Sequence, residues 1–399
     1  MSMKEKVTTK AQNMSLMTIK SDQQTKALNA WAKQNYIGSI VAGTGFGKSR
    51  CGVLAAAVIL NRDGGKGLVI VPTTQLQAQF EEEFKKWGHE EALDSIDIIC
   101  YQSAHKLRGE HYSVVICDEI HLGLSPVHRQ FFEYNTYDKL LCMTATMPEE
   151  DEYREILINL APICYMISLD SCVDLGLVAP YQIFCIPVDL TEEERANYKK
   201  ANNLFVQMKY RLGQFDAFKT AQAILAKRIP GDAGAAAQFY RAIRDRKKIV
   251  QHAYNKLEYA QGIVNDWHPK SKILVFSGTN DFTDSMAAVL GGESYHSGKG
   301  KKQRTETLRR YKNGLNRVLC STKALNQGFD VPDSEVGIIA GLDSKSLPMI
   351  QRVGRLLRLS GDKIGKVYIL YVKDSQEEKW LNKAVSKLSN VNWITYETD

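Results

Sequence analysis

The chain has 399 residues, 44% of them hydrophobic and 24% charged, with a formal net charge of +7 and a pI near 8.8. That apolar content excludes a disordered chain and suffices for two or three domains, while the mild basic bias admits a polyanionic partner. No apolar run reaches the roughly 18–20 residues that span a bilayer, and the eight cysteines form no C-x-x-C pair, which argues against a zinc site and for buried thiols in a reducing compartment.

Residues 1–18 read as a polar tail without the apolar centre of a signal peptide, so a cytoplasmic protein is expected. Short β-branched runs then alternate with helical sequence. "GSIVA", "GLVIVP", "IDIICY", "SVVICDE" and "KLLCMTAT" come first; "QIFCIPVDL", "KILVFSG", "NRVLCST", "VGIIAGL" and "KVYILYV" follow. Continuous runs of about five apolar residues predict parallel strands buried on both faces, hence an α/β fold with helices between strands. The two groups are separated by a helical stretch at about 191–268, which opens on Thr191 and Glu194 in capping-box spacing. The expected organisation is a first domain over 19–178 and a second over 179–399 that carries this insertion.

The stretch "VAGTGFGKSR" (41–50) joins the first strand to a helix. Gly43, Thr44, Gly45, Phe46 and Gly47 would turn backbone N–H groups toward an anion at a helix N-terminus. Lys48 would reach β- and γ-phosphates and Ser49 would ligate magnesium. Ala42 stands where the strict G-x-x-x-x-G-K-[ST] pattern has its first glycine. "VVICDEIH" (114–121) ends a strand in two acids; Asp118 would hold magnesium through its water shell and Glu119 would orient or deprotonate the attacking water. A cluster in "SGKGKKQRTETLRRYK" (297–312), with Lys301 and Lys302 at its centre, and a second in "RAIRDRKK" (241–248) are candidate backbone contacts.

In this order the segments resemble the motifs of superfamily 2 helicases: "IKSDQQ" (19–24), "AGTGFGKS" (42–49), "VPTTQL" (71–76), "YQS" (101–103), "DEIH" (118–121), "TAT" (144–146), "VFSGT" (275–279), "STKALNQGFDVP" (321–332) and "QRVGRLLR" (351–358). "DEIH" with "LVAPYQIFCIPVDLTEEERANY" is most similar to the XPB- and UvsW-like DNA branch. The resemblance implies two RecA-like lobes with ATP and magnesium in the cleft between them. It implies adenine recognition by Gln23, with Gln24 as the alternative. Arg355 and Arg358 become arginine fingers, Gln351 positions water or phosphate, and Gly328 and Asp330 complete the cleft. His121, Thr144 and Thr146 couple nucleotide state to lobe movement. Sequence-independent phosphate contacts fall to Thr73, Thr74, Gln102, Ser103, Ser277, Thr279 and Thr322.

The implied activity is ATP-driven movement on duplex or branched DNA by a monomer that remodels replication or recombination intermediates. An RNA helicase, a protein-displacing duplex translocase and an ATP-gated clamp are the other readings. Compactness and the likeness to UvsW suggest a phage-encoded member. Three features depart from the pattern: few residues precede the first motif, Asn326 and Gln327 stand where acids are common, and no strand-separating hairpin is visible.

Overall fold

The computed structural model describes residues 19–395, except 44, 149, 176, 178–180, 214–215, 323–333, 345–349, 351–363, 387 and 389. The chain divides near residue 180 into two compact units, each built on one sheet.

The first unit opens with a helix, α1 (19–33). Its strands are β1 (Ile37–Ala42), β2 (Gly67–Val71), β3 (Ile96–Cys100), β4 (His111–Asp118), β5 (Thr136–Thr144) and β6 (Ile163–Ile167). They form a six-stranded sheet in the order β3-β2-β4-β5-β1-β6, parallel throughout. Alternate residues of each run feed opposite cores. Ile40, Val69, Val71, Ile116 and Met143 pack with Trp31, Phe46, Phe80 and Phe84, whereas Leu68, Ile70, Val115, Cys117 and Leu140 pack with Tyr112 and Phe131. This is why the strands read as unbroken apolar runs. Helix α2 (Lys48–Asp63) follows β1, and α3 (Thr74–Lys86) follows β2. The order of strands reverses after β3, and in such sheets ligands bind at the carboxyl ends.

The second unit holds β7 (Tyr181–Val188), β8 (Ile273–Phe276), β9 (Glu293–Tyr295), β10 (Val318–Ser321), β11 (Val336–Ile339), β12 (Gly365–Val372) and β13 (Val391–Trp393). Their order is β13-β7-β12-β11-β8-β10-β9, again all parallel. Four helices lie between β7 and β8: α4 (Glu192–Arg211), α5 (Ala217–Leu225), α6 (Ala233–Gln251) and α7 (Asn255–Gly262). The capping box forms at the start of α4, with Glu194 N donating to Thr191 Oγ1 at 3.3 Å and Thr191 N to Glu194 Oε2 at 3.0 Å. Helices α4 to α6 own a separate small core around Met208, Leu212, Ala221, Ile224 and Phe239. Later come α8 (Asn280–Val289), α9 (Lys301–Lys312) and α10 (Gln376–Val385).

All ten anticipated strands are present. Three more, β6, β9 and β13, sit at sheet edges; β9 and β13 are three residues long and partly polar, whereas β6 (ICYMI) is a five-residue apolar run that is not among the anticipated strands. All eight cysteines are free thiols, seven of them buried. Among the described residues no helix is long and apolar enough to cross a membrane.

Candidate nucleotide and nucleic-acid site

Strand β1 is buried from Gly38 onward and ends at Ala42, delivering the glycine loop to the sheet edge. Gly45 (φ 93°) and Gly47 (φ 88°) both take the left-handed region, which a side chain resists. A Cβ at Gly47 would also strike the Gln24 side chain. Backbone conformation and the Gln24 support together exclude a side chain at Gly47. Lys48 opens α2, is 6% exposed, and donates from Nζ to Ala42 O at 3.0 Å. This hydrogen bond arches the ammonium back over the loop. Ser49 follows it, half-buried in the first turn. Phe46 is buried and packs its ring 5.7 Å from that of Tyr165, anchoring the loop rather than lining it. Thr44 lies outside the described residues.

The structure separates the two candidate glutamines. Gln24 is 2% exposed; its amide donates to Phe46 O at 2.7 Å and its carbonyl accepts from Arg50 Nη1 at 2.6 Å. It is a strut under the cradle. Gln23 is half-buried, and its Oε1 accepts from Tyr165 Oη at 2.7 Å.

Two strands away, β4 ends on the acids. Asp118 is 8% exposed, and burial, with Glu119 adding repulsion and Lys48 opposing, pushes its carboxyl up to about 7. Tyr101, fully buried, donates from Oη to Asp118 O at 2.9 Å and so fixes the end of the strand. In the sequence Tyr101 is only the first letter of "YQS"; nothing local marks a hydroxyl that reaches 17 residues along the chain. Glu119 holds φ 48°, a left-handed conformation uncommon outside glycine and frequent at functional sites. The turn brings Glu119 Oε2 to 3.5 Å from His121 Nδ1, which also meets Thr144 Oγ1 at 3.2 Å. Thr144, buried at the end of β5, donates to Thr146 O at 2.9 Å. A polar chain thus runs from the acid pair to the end of the neighbouring strand. Register supports it: Val41 of β1 lies opposite Thr144, and Met143 opposite Asp118.

The candidate nucleic-acid contacts of the first unit occupy the other half of the same edge. Thr73 caps α3 and accepts from Leu76 N, Thr74 is exposed, and Gln102 and Ser103 are exposed after β3. In the second unit the hydroxyls are drawn inward. Ser277 is 2% exposed and donates to Thr279 O at 3.2 Å; Thr279 caps α8 and meets His252 Nε2 at 2.8 Å; Thr322 is buried. These side chains shape the loops, leaving backbone groups as their available contacts. Lys301 and Lys302 are exposed at the start of α9, whose buried face is Thr307, Leu308 and Tyr311. Gly328, Asp330, Gln351, Arg355 and Arg358 lie outside the described residues.

Charge is segregated along the chain beyond the "RAIRDRKK" cluster. Residues 192–251, which span α4 to α6, hold thirteen Lys and Arg against six Asp and Glu, an excess of seven, while the remaining residues balance at thirty-nine basic and thirty-nine acidic side chains. The positive charge of the chain is concentrated in α4 to α6. The modest total of +7 conceals that segregation.

Residues 17–149 match the family model of the type III restriction enzyme res subunit, and residues 255–360 match that of the helicase conserved C-terminal domain. The chain is 26% identical over 356 residues to the DNA 3'-5' translocase XPB2 of Sulfurisphaera tokodaii, covering 84% of this chain and 78% of that protein. Its fold is similar to that of the Pyrococcus furiosus Hef helicase domain (TM-score 0.57, 17% identity, 89% of this chain and 96% of that one). It is also similar to the ATP-dependent type ISP restriction-modification enzyme LlaBIII bound to DNA (TM-score 0.59, 15% identity, 95% of this chain and 31% of that one). With a glycine loop, an acid pair and a threonine relay on one sheet edge and both helicase domains in order, the chain is similar to the superfamily 2 helicases, and its likeness to XPB2 is consistent with their XPB-like branch.

Proposed function

We propose that this chain is an ATP-dependent DNA helicase or translocase that couples hydrolysis to movement on duplex or branched DNA and remodels replication or recombination intermediates. The observation that carries this is the convergence of Lys48, Asp118, Glu119 and Thr144 at the carboxyl edge of one parallel sheet. The DNA reading rests on the likeness to the XPB2 translocase and on the basic excess of the helical insertion. Contacts through backbone and lysine read phosphate, so binding is sequence-independent. A monomer acting in the cytoplasm is part of the same proposal.

In this reading the N–H groups of residues 43–49 receive the triphosphate and Lys48 leaves the Ala42 carbonyl to meet the β- and γ-phosphates. Ser49 and Asp118 offer hard oxygen donors, the chemistry magnesium takes, so the residues fit that ion. When bound with the triphosphate, magnesium would draw charge from the γ-phosphate. Lys48 opposes the burial that holds the Asp118 carboxyl up, and a bound cation would favour its charged form. Glu119 orients the water, its position set by the strained turn and by His121. Arg355 and Arg358 supply positive charge to the transition state, a contribution of about 10³–10⁵ in rate for such residues.

The test is ATP hydrolysis with single-stranded DNA, duplex DNA, four-way junctions and RNA in one buffer. Stimulation by duplex or branched DNA is expected. Hydrolysis indifferent to every polynucleotide, or stimulated by RNA alone, overturns the proposal.

A further inference from the structure

The two acids of the first unit open a short turn, and that turn is held from behind. Tyr101 starts the helical turn Tyr101–Ala104 after β3 and is 2% exposed. Its Oη donates to Asp118 O at 2.9 Å. The peptide that joins Asp118 to Glu119 is trans, so its carbonyl and its N–H point opposite ways. With the carbonyl drawn to Tyr101, the Glu119 N–H points away from the tyrosine and donates to the Asp118 carboxyl. One hydroxyl therefore sets the plane of the peptide that both acids share. Rotating that plane would change ψ of Asp118 and φ of Glu119, the residue held at φ 48°.

The tyrosine ring belongs to the same support. A Cβ at Gly123 would lie 2.6 Å from Tyr101 Cε1, so the far end of the turn rests on the ring and only glycine leaves room for it. Between these two anchors the turn closes on itself, with Leu122 N donating to Glu119 O at 3.0 Å and Gly123 N to Ile120 O at 2.7 Å. His128 Nδ1 meets Leu122 O at 2.8 Å. A carbonyl can only accept, so Nδ1 carries the proton in this contact. The His128 ring lies 5.8 Å from that of Tyr101 and 5.8 Å from that of His105, whose Nδ1 donates to Tyr101 O at 3.2 Å. Residues 118–123 are thus pinned near both ends, Asp118 O by Tyr101 and Leu122 O by His128.

A phenylalanine at position 101 would fill the same space against Gly123. What the hydroxyl adds is direction. A left-handed residue other than glycine persists only where its surroundings over-determine it, and Tyr101 and His128 supply two of the constraints around Glu119. We propose that Tyr101 and His128 are positioning residues for hydrolysis, which hold the left-handed turn at Glu119 so that its carboxylate faces the attacking water. They act through the backbone of residues 118–122. The inference rests on the ATP hydrolysis proposed above and adds the groups that aim Glu119.

The test uses the full chain at saturating duplex oligonucleotide and reads kcat and KM for ATP, binding of a fluorescent ATP analogue, and the melting transition. Tyr101→Phe keeps the ring on Gly123 and removes the hydroxyl. Its kcat should fall about ten- to a hundredfold, the loss a misplaced reacting group brings, while KM and analogue binding stay within about twofold of wild type. Its melting transition should drop by a few degrees at most, as for one lost hydrogen bond. His128→Leu removes the donor to Leu122 O and should show the same split. His128→Asn returns an amide nitrogen to the place of Nδ1 and should restore most of the turnover. Wild-type kcat in Tyr101→Phe or in His128→Leu overturns the proposal. So does a loss of analogue binding in step with kcat, or a His128→Asn chain as slow as His128→Leu, either of which would make these residues plain scaffold. A wild-type chain that does not hydrolyse ATP removes the proposed function and this inference with it; an active wild type with unaffected variants removes the inference alone.

Discussion

Replacing Asp118 by Asn should make the nucleotide-free protein more stable while destroying its activity. The carboxyl is 8% exposed, and burial first, then Glu119, raises it from 3.8 to about 7. A raised carboxyl means that the folded chain binds the proton more tightly than the unfolded one. Stability is therefore greatest with the group protonated and is lost as pH climbs from about 4 toward 7. At 1.36 kcal/mol per pKa unit, the charged form costs about 4 kcal/mol at pH 8 and about 2 kcal/mol at pH 5. Asn keeps the shape and removes the charge. With about 2–4 °C per kcal/mol for a unit of this size, the melting transition of the first unit should rise by roughly 10 °C at pH 8 and by less than half of that at pH 5. Calorimetry in a chelating buffer, which keeps divalent cations from reversing the shift, reads both values. A gain that does not change with pH, or a loss at pH 8, would refute the assignment of Asp118 as a carboxylate held against its solvation for the sake of a ligand.

Lys48→Ala and Glu119→Gln should each reduce DNA-stimulated phosphate release to background; retained release by either variant would remove that residue from the chemistry. Arg358→Ala should cut turnover by about 10³-fold or more while a fluorescent ATP analogue still binds, because such an arginine acts on the transition state. A parallel loss of binding contradicts that role. Lys301→Glu with Lys302→Glu should weaken duplex binding and flatten the dependence of log K on log salt by about two units. An unchanged slope assigns the start of α9 to solvent.

The parts of this molecule that its sequence displays are those made by neighbours. Strands buried on both faces appear as runs such as "GLVIV", the capping box of α4 needs only Thr191 and Glu194, and the cradle is a single loop. What stays hidden is made by polar partners far apart in the chain. Lys256 sits in "YNKLEYA", which reads as an ordinary solvated helix; it is buried because Glu377, 121 residues on, meets it. Tyr101 reads as a strand end until its hydroxyl is found on Asp118 O. Ser277 and Thr279 show the converse. A hydroxyl just after a strand can meet phosphate or cap the following helix, and no local pattern separates the two uses; here both serve the loop and α8. Charge follows the same distinction: only "RAIRDRKK" stands out as a dense run among the thirteen basic residues of α4 to α6, and it takes three packed helices to gather the rest on one small module.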